Sequence, residues 1–372
     1  MDRKKIYKYT LLFVVLILAS FVGLKIRTYY QDNEADDEHK LIRKFLLNDA
    51  QNSSLQEQKK PKLWIHTTYG MNSRKWKSFY SRNSTELNQP YLHLTIQSII
   101  QHCSDSFQIC LIDDESFSQL IPAWSISLST FAEPIKQRLR EYGLSTLLYM
   151  YGGIIVPNSF ICFQDLIGLY QDGMGIKEQP FVCERINRTE SVQRNKKRLL
   201  FVPDSYIMGC KSADPVMGQY MEHWRTYVGL THFQSQSEFT GESSEWLLRR
   251  IESGEMNLLD GTNVGIKTNE RTKIMLEDLM EEAPLDLSPG CYGIYVPADD
   301  VLSRIKYQWL AYLSEEELLQ STPILAKYIA LALTSAPING VEPVMGVIAA
   351  EVEVVEIKGT IGTYGSGKTS LL

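Results

Sequence analysis

The apolar and polar positions downstream of residue 61 predict short buried strands that alternate with amphipathic helices. Apolar or β-branched runs bounded by turn residues predict strands at 62–68, 107–112, 154–156 and 180–184. Apolar residues at helical spacing predict helices at 91–102, 117–121 and 132–151, one that opens with Pro215 and one that opens at 239–245. This alternation predicts an α/β fold with a Rossmann-type sheet and flanking helices.

The stretch 144–159 organises this pattern. Apolar residues at helical spacing run to Tyr151, and Gly152 and Gly153 follow where the C-cap of a helix needs a positive φ. The β-branched run 154–156 then predicts a buried strand that ends at a Pro-Asn-Ser loop, residues 157–159. Ligands of open α/β sheets bind just beyond the carboxyl ends of the strands, so this loop is the first place to expect a site.

The residues before the α/β region differ in polarity. A basic segment at 1–8, an apolar run at 9–26 and a polar stretch at 27–60 predict a cytoplasmic tail, a transmembrane signal anchor and a stem. A cleavable signal peptide is the alternative interpretation of the apolar run. A globular domain is then expected at 61–312, with a C-terminal helix and tail at 313–372. With an anchor, the chain is a single-pass type II membrane protein.

Composition narrows the classes of partner. The net charge is −6, and basic residues after the N-terminus occur only in short stretches such as 191–198, which argues against a nucleic-acid partner. The six cysteines form no CxxC or Cys/His pattern, so no zinc site is expected. They are expected to be buried thiols, with one or two disulfides if the domain faces an oxidising lumen. Sequons at Asn52, Asn83 and Asn187 are those of a glycoprotein.

The segment Leu148-Tyr149-Met150-Tyr151-Gly152-Gly153-Ile154 resembles the glycosyltransferase family with a sugar-binding DXD motif. That family includes yeast Golgi mannosyltransferases and related α-1,4-glycosyltransferases. The resemblance covers residues 62 to 309 and implies a GT-A-like fold in a Golgi or other secretory-pathway membrane. It also implies further strands within 201–210 and at 293–297. Pro157 and Ser159 stand where the family has the two DXD aspartates, and Glu141 and Leu144 stand where it has Asp and Arg.

The resemblance implies a nucleotide-sugar site at the ends of the predicted strands. Its candidate residues are His66, Thr67, Asp113, Asp114, Gly152, Gly153, Asn158 and Ser159. A carboxylate at such a strand end can accept hydrogen bonds from ribose hydroxyls. For His66 the alternative is a hydrogen-bonded residue at the end of a strand, and for Asp114 it is the N-cap of the next helix, a role that Ser116 could also fill.

The sequence does not identify the catalytic residue, and Asp204 and Glu242 are the candidates. Asp204 precedes a strand and could face the acceptor, or could form a turn after a proline. Glu242 follows a Thr-Gly pair that resembles the family's Thr-Gly-Pro segment. It could offer a carboxylate to an acceptor hydroxyl, or could be an acidic residue favoured in the first turn of a helix.

The absence of the two DXD aspartates affects which cofactor is expected. In the resembled family these carboxylates hold a divalent metal that neutralises the leaving nucleotide diphosphate. Pro157 and Ser159 cannot replace them on a hard cation. Three outcomes stay open: transfer without metal, a Mn²⁺ or Mg²⁺ site on other carboxylates such as Asp113 or Asp114, or loss of activity.

The sequence therefore leaves two principal hypotheses. The first is a membrane-anchored, divergent glycosyltransferase that moves a sugar from a nucleotide-sugar donor to a glycan or glycoconjugate acceptor, with or without metal. The alternative is a catalytically inactive glycosyltransferase-like protein that binds a glycan or acts as a scaffold. The segment 362–369 also matches a phosphate-binding P-loop and is expected to be a chance match.

Overall fold

The strands carry apolar side chains to both faces of a central sheet. The structure, a computed structural model, describes residues 60–67, 89–132, 135–187, 199–229 and 236–334. The strands are β1 (Lys62–His66), β2 (Gln108–Ile112), β3 (Gly153–Ile155), β4 (Phe160–Cys162), β5 (Phe181–Ile186), β6 (Phe201–Cys210), β7 (Asn257–Leu259) and β8 (Gly293–Tyr295). The prediction of an α/β fold with flanking helices is confirmed.

The helices follow the strands in the expected alternation. They are α1 (Tyr91–Cys103), α2 (Ser116–Leu120), α3 (Ile135–Tyr151), α4 (Ile167–Met174), α5 (Pro215–Gly229), α6 (Gln236–Glu252), α7 (Leu276–Met280), α8 (Ala298–Ser303), α9 (Glu315–Leu319) and α10 (Ile324–Thr334). Three 3₁₀ segments lie at Leu128–Thr130, Gly261–Val264 and Ile305–Tyr312.

The main sheet has six strands in the order β2-β1-β3-β6-β5-β7. β1 is parallel to β2 and β3, whereas β6 is antiparallel to its neighbours β3 and β5. The carboxyl ends of β1, β2, β3, β5 and β7 therefore meet at one edge of the sheet, where β6 begins. The chain reverses its strand order at β1, and such a switch point is where ligands of α/β sheets bind. A second sheet pairs β4 with β8.

Alternating side chains of β1 divide the core into two layers. Leu63 and Ile65 belong to one buried cluster, together with side chains from α1 and α4. Trp64 belongs to a second buried cluster on the opposite face, together with side chains from α3 and α5. A strand buried on both faces reads as a continuous apolar run, as the sequence of β1 does.

The two glycines between α3 and β3 have a steric explanation. Gly152 has φ +68° and Gly153 has φ +103°, which other residues rarely adopt. A Cβ on Gly153 would lie 2.1 Å from the carbonyl oxygen of Lys62, and one on Gly152 would lie 2.6 Å from the amide nitrogen of Ser212. Trp64 donates from its indole nitrogen to the Gly152 carbonyl at 2.9 Å. The glycines thus allow β3 to approach β1.

The end of the described chain packs against α1. Gln101 donates to the Leu333 carbonyl at 3.2 Å, and a ring nitrogen of His102 lies 2.9 Å from the Ala332 carbonyl oxygen. The Tyr328 ring contacts Phe163, with centroids 5.8 Å apart. The part of the predicted C-terminal segment that the structure describes is therefore in contact with the residues of the predicted domain.

Several predicted boundaries need correction. β1 ends at His66 rather than at 68, and α2 spans Ser116–Leu120 rather than 117–121. β3 begins at Gly153 and ends at Ile155, one residue earlier than predicted, because the chain already pairs with β1 and β6 at the second glycine. α6 begins at Gln236, so Thr240, Gly241 and Glu242 lie within a helix that was predicted to open there.

Several predictions fall outside the described residues. These are the tail, anchor and stem at 1–59, most of the C-terminal tail, and the P-loop match at 362–369. Among the residues that the structure does describe, we find no helix with the length and apolar character needed to cross a membrane.

Candidate functional site

Three residues from separate elements meet at the carboxyl edge of the sheet. His66 Nε2 lies 3.0 Å from Asp114 Oδ1, which joins the end of β1 to the turn after β2. Arg140 of α3 donates to Asp114 from Nε and Nη2, each at 2.8 Å. A bidentate guanidinium–carboxylate pair of this kind is strong and has a fixed orientation. We call these three residues the His66 triad.

The triad keeps Asp114 ionised. Burial alone would raise the pKa of the Asp114 carboxyl, but the hydrogen bonds from Arg140 and His66 outweigh it and hold that pKa well below its usual range. The His66 ring stacks on Phe117, with centroids 5.8 Å apart and planes 13° apart. The structure thus brings together His66 and Asp114, two of the predicted nucleotide-sugar residues.

Asp113 and Thr67 have backbone partners nearby. Asp113 Oδ1 accepts from the amides of Glu115 and Ser116 and from the Ser116 hydroxyl, at 3.1, 2.9 and 2.7 Å. The N-cap of α2 is thus Glu115 rather than Asp114 or Ser116, and Asp113 is the side chain that accepts from the amides at the start of this helix. The Thr67 amide continues the β1–β2 ladder by donating to the Ile112 carbonyl at 2.9 Å.

The loop 157–159 lies at the end of β3, an interior strand of the sheet. Pro157 and Asn158 are partly exposed, and the Asn158 carbonyl accepts from the Thr95 hydroxyl of α1 at 2.5 Å. Ser159 is buried, and its hydroxyl donates to the Val296 carbonyl at 2.7 Å. The Ser159 hydroxyl is therefore already used in a hydrogen bond within the protein, and the loop 157–159 contains no carboxylate.

A second polar cluster lies further along the same edge. Asp204 Oδ2 pairs with Arg185 Nη1 at 3.3 Å, and Arg185 Nη2 donates to the Tyr295 hydroxyl at 3.2 Å. The Ser205 hydroxyl donates to Glu141 Oε2 at 3.0 Å. We call Glu141, Arg185, Asp204, Ser205 and Tyr295 the Asp204 cluster.

Glu141 is the most perturbed acid in the Asp204 cluster. Burial raises the pKa of its carboxyl to about 7, the Asp204 carboxylate adds to the increase, and Ser205 and Arg185 oppose it. Arg140 and Glu141 are consecutive residues of α3, so one turn of this helix serves both the His66 triad and the Asp204 cluster. A carboxyl that titrates near neutral pH can take or give a proton under ordinary conditions.

The other catalytic candidate, Glu242, lies elsewhere. It is on α6 near His223, where burial lowers the pKa of the imidazole and the negative charge of Glu242 opposes that effect. Tyr220 and Ser243 connect α5 to α6 through a hydroxyl contact of 3.0 Å.

Sequence reasoning missed the two cations of the site. Neither Arg140 nor Arg185 is among the candidate residues named from the sequence. A guanidinium that follows a buried strand at the same edge as a predicted carboxylate is the signal that could have identified Arg185. For Arg140 the sequence gives no comparable signal, because a basic residue in a helix equally suits a solvated face.

The arrangement provides no evident metal ligand set. In the described ranges, no group of three or more His, Cys, Asp or Glu side chains is placed to hold a metal ion. The carboxylates of Asp114 and Asp204 already face guanidinium groups. A cavity of about 20 Å³, lined by Arg185, Ile186, Ile274, Tyr295 and Pro297, has room for about one water molecule.

Comparisons with known proteins give limited information. No family model and no curated protein matches the chain. Among solved structures it is similar to the glycosyltransferase GlyE of Streptococcus pneumoniae TIGR4, with 11% identity and a TM-score of 0.35 for the apo form. A second GlyE structure gives 10% identity and a TM-score of 0.34. In both, the match covers 74% of this chain and 61% of the GlyE chain, so this chain spans about three fifths of that length. A likeness this weak establishes neither a family nor an activity.

Proposed function

We propose that this protein is a divergent glycosyltransferase with a GT-A-like fold, which transfers a sugar from a nucleotide-sugar donor to a glycan or glycoconjugate acceptor without a DXD-bound metal. The observation that carries the proposal is the meeting of His66, Asp114 and Arg140 at the carboxyl ends of β1 and β2, beside the switch point of the sheet. The Leu-Tyr-x-Tyr-Gly-Gly resemblance adds the reaction class.

The proposed donor site lies between the His66 triad and the loop 157–159. His66 and the partly exposed Asn158 would contact the ribose or the sugar, since both present polar atoms at strand ends. Phe117 holds the His66 ring by stacking, which fixes its direction. The guanidinium of Arg140 would offer positive charge to the diphosphate in place of a metal ion.

The proposed acceptor lies toward the Asp204 cluster. In the transfer step, the bond between the anomeric carbon and the diphosphate oxygen breaks, and the acceptor hydroxyl oxygen forms a bond to that carbon. The hydroxyl proton passes to a carboxylate, and the nucleotide diphosphate leaves. Asp204 and Glu141 are the carboxyl groups of this cluster, and Glu141 has a pKa of about 7, which suits proton transfer.

A catalytically silent binding module is the second candidate, and one observation favours it. Each guanidinium of the edge faces a carboxylate of this same chain, Arg140 with Asp114 and Arg185 with Asp204. These pairs leave less positive charge for a leaving diphosphate. Binding without turnover is the behaviour expected of such a module.

Calorimetry and product analysis on the full chain in detergent test the proposal. We expect one nucleotide sugar in a donor screen to bind, and its hydrolysis or transfer to persist in EDTA. Asp114→Asn should weaken binding about tenfold, because Asp114 holds His66 and Arg140 in the orientation proposed to meet the donor, and losing that orientation outweighs the positive charge that it frees. Asp105→Asn is the matched control, because Asp105 is an exposed aspartate at the opposite end of β2, and it should bind as wild type does.

The outcomes separate the two candidates. Turnover that EDTA abolishes would contradict the metal-independent proposal. Donor binding with no turnover for any donor would favour the silent module, and no binding of any nucleotide sugar would overturn the donor site itself.

We further propose that the apolar run 9–26 anchors the protein in a Golgi or other secretory-pathway membrane as a type II protein. Protease protection of residues 61–312 in sealed microsomes tests that orientation.

A further inference from the structure

Two cysteines from distant parts of the chain have their sulfur atoms in contact. Cys103 is the last residue of α1 and Cys162 is the last residue of β4. Their Sγ atoms lie 3.9 Å apart, and both residues are fully buried. Because 59 residues separate them in sequence, packing of α1 on β4 is what brings them together.

The other four cysteines have different surroundings. Their thiols each lie near a backbone carbonyl: Cys110 near Gln108, Cys183 near Leu259, Cys210 near Leu148 and Cys291 near Gly293. The Cys162 thiol also lies 3.1 Å from the Gln164 carbonyl oxygen, but it additionally faces the sulfur of Cys103. Cys103 and Cys162 are therefore the two cysteines whose sulfur atoms the fold places close enough to form a covalent bond after a small movement.

We propose that Cys103 and Cys162 form a disulfide when the protein folds under oxidising conditions. The oxidant is a small-molecule disulfide such as oxidised glutathione. The two protein thiols give up two hydrogen atoms, the S–S bond forms between them, and two molecules of reduced glutathione leave. The sulfurs must approach to about 2.05 Å, a movement of about 2 Å from their present contact.

The bond forms while α1 packs on β4, before the pair is fully buried. Burial raises the pKa of the Cys162 thiol well above its ordinary value, and the neighbouring Cys103 adds to this effect. Only the thiolate attacks a disulfide, so exchange at the buried pair is slow once the protein has folded. Oxidation during folding avoids this barrier.

The bond would hold the loop 157–159 in place. α1 already contacts that region twice, because Thr95 donates to the Asn158 carbonyl and Ser98 Oγ accepts from the Cys162 amide at 3.0 Å. A disulfide between α1 and β4 adds a covalent link to the same contact. The proposal does not depend on the protein being a transferase.

Peptide mapping tests the bond directly. The full chain is refolded in detergent with oxidised and reduced glutathione, alkylated, and digested without reduction. Trypsin leaves Cys103 and Cys110 on one peptide, 83–136, so a second protease that cuts before Asp105 and Asp165 is needed. We expect peptide 83–104 linked to peptide 141–164, and loss of this species on reduction. Alkylated Cys103 and Cys162 in the refolded protein, or a link to another cysteine, would overturn the proposal.

A stability comparison separates the bond from packing. Wild type, the double variant Cys103→Ala/Cys162→Ala and the single control Cys110→Ala, which removes an equally buried thiol, are refolded with and without reductant and then melted. Reductant should lower the Tm of wild type and of Cys110→Ala by about 5–10 °C and leave the double variant unchanged. An equal response of all three proteins to reductant would contradict the proposal.

Discussion

Arg140 donates to both carboxylate oxygens of Asp114, from Nε and Nη2 at 2.8 Å each, and so joins α3 to the turn that follows β2. The pair is partly buried, with side-chain exposures of 14% for Arg140 and 24% for Asp114. Such a pair is less screened by solvent than an ion pair on the surface, so its removal should be measurable.

The first prediction concerns the strength of this pair. Arg140→Gln removes the bidentate partner of a partly buried carboxylate and should lower the free energy of unfolding by about 2 kcal/mol. In a double-mutant cycle with Asp114→Asn, measured by urea denaturation, we expect a coupling energy of about 1–2 kcal/mol. The exposed pair Arg225–Glu222, 2.7 Å apart, is the control and should couple by less than about 0.5 kcal/mol. Equal coupling in the two pairs would count against a structural role for the triad.

The second prediction concerns the pH dependence of stability. The pKa of Glu141 is raised to about 7 in the folded protein, from an unfolded value of about 4.3. The folded state therefore binds more protons than the unfolded state between these two values, and Glu141 makes stability fall as pH rises from about 4.3 to 7. The full effect is up to about 4 kcal/mol.

Glu141→Gln isolates this contribution, because glutamine keeps the shape of the side chain and does not titrate. Urea denaturation at pH 5 and pH 8 should show a larger loss of stability for wild type than for the variant. A wild-type loss no larger than that of Glu141→Gln would show that Glu141 is already ionised at pH 5.

The sheet could be predicted in outline because its strands are buried runs of β-branched and aromatic residues. Asp204, expected to precede a strand, lies inside β6 (Phe201–Cys210), because the chain pairs with β5 from Phe201 onward. Strand order could not be predicted, because the pairing of β3 with β1 and β6 depends on residues far apart in sequence.

The candidate site was predicted only in its strand-end residues. His66 and Asp114 follow apolar runs, and strand ends of parallel sheets converge, so their meeting follows from local pattern and topology. Arg140 and Arg185 carry charges that also suit a solvated surface, and only the fold shows their partners. The role of Asp113 at the start of α2 was missed because α2 begins one residue earlier than predicted.

The third prediction concerns the second glycine of the Gly-Gly pair. Gly153→Ala would place a Cβ 2.1 Å from the Lys62 carbonyl oxygen at φ +103°, so β3 and β1 would have to separate. We expect a loss of at least about 3 kcal/mol in the free energy of unfolding, or failure to fold. Gly254→Ala is the matched control, with φ +74° but no atom within 4 Å of the new Cβ, and should cost about 1 kcal/mol. Similar losses would mean that strain in φ, rather than the contact with β1, explains the glycine.

The fourth prediction concerns an aspartate introduced at position 159, where the resembled family has the second DXD aspartate. Ser159 is 2% exposed and its hydroxyl donates to the Val296 carbonyl, so Ser159→Asp replaces a donor with a buried carboxylate that faces a carbonyl oxygen. We expect a loss of about 3 kcal/mol in the free energy of unfolding and no Mn²⁺ binding by calorimetry, even with Pro157→Asp added. Asn158→Asp, at a partly exposed neighbour, should stay within about 1 kcal/mol of wild type. A stable double variant that binds Mn²⁺ would instead show that the loop retains the geometry of a metal site, and that the substitutions at 157 and 159 alone explain its absence.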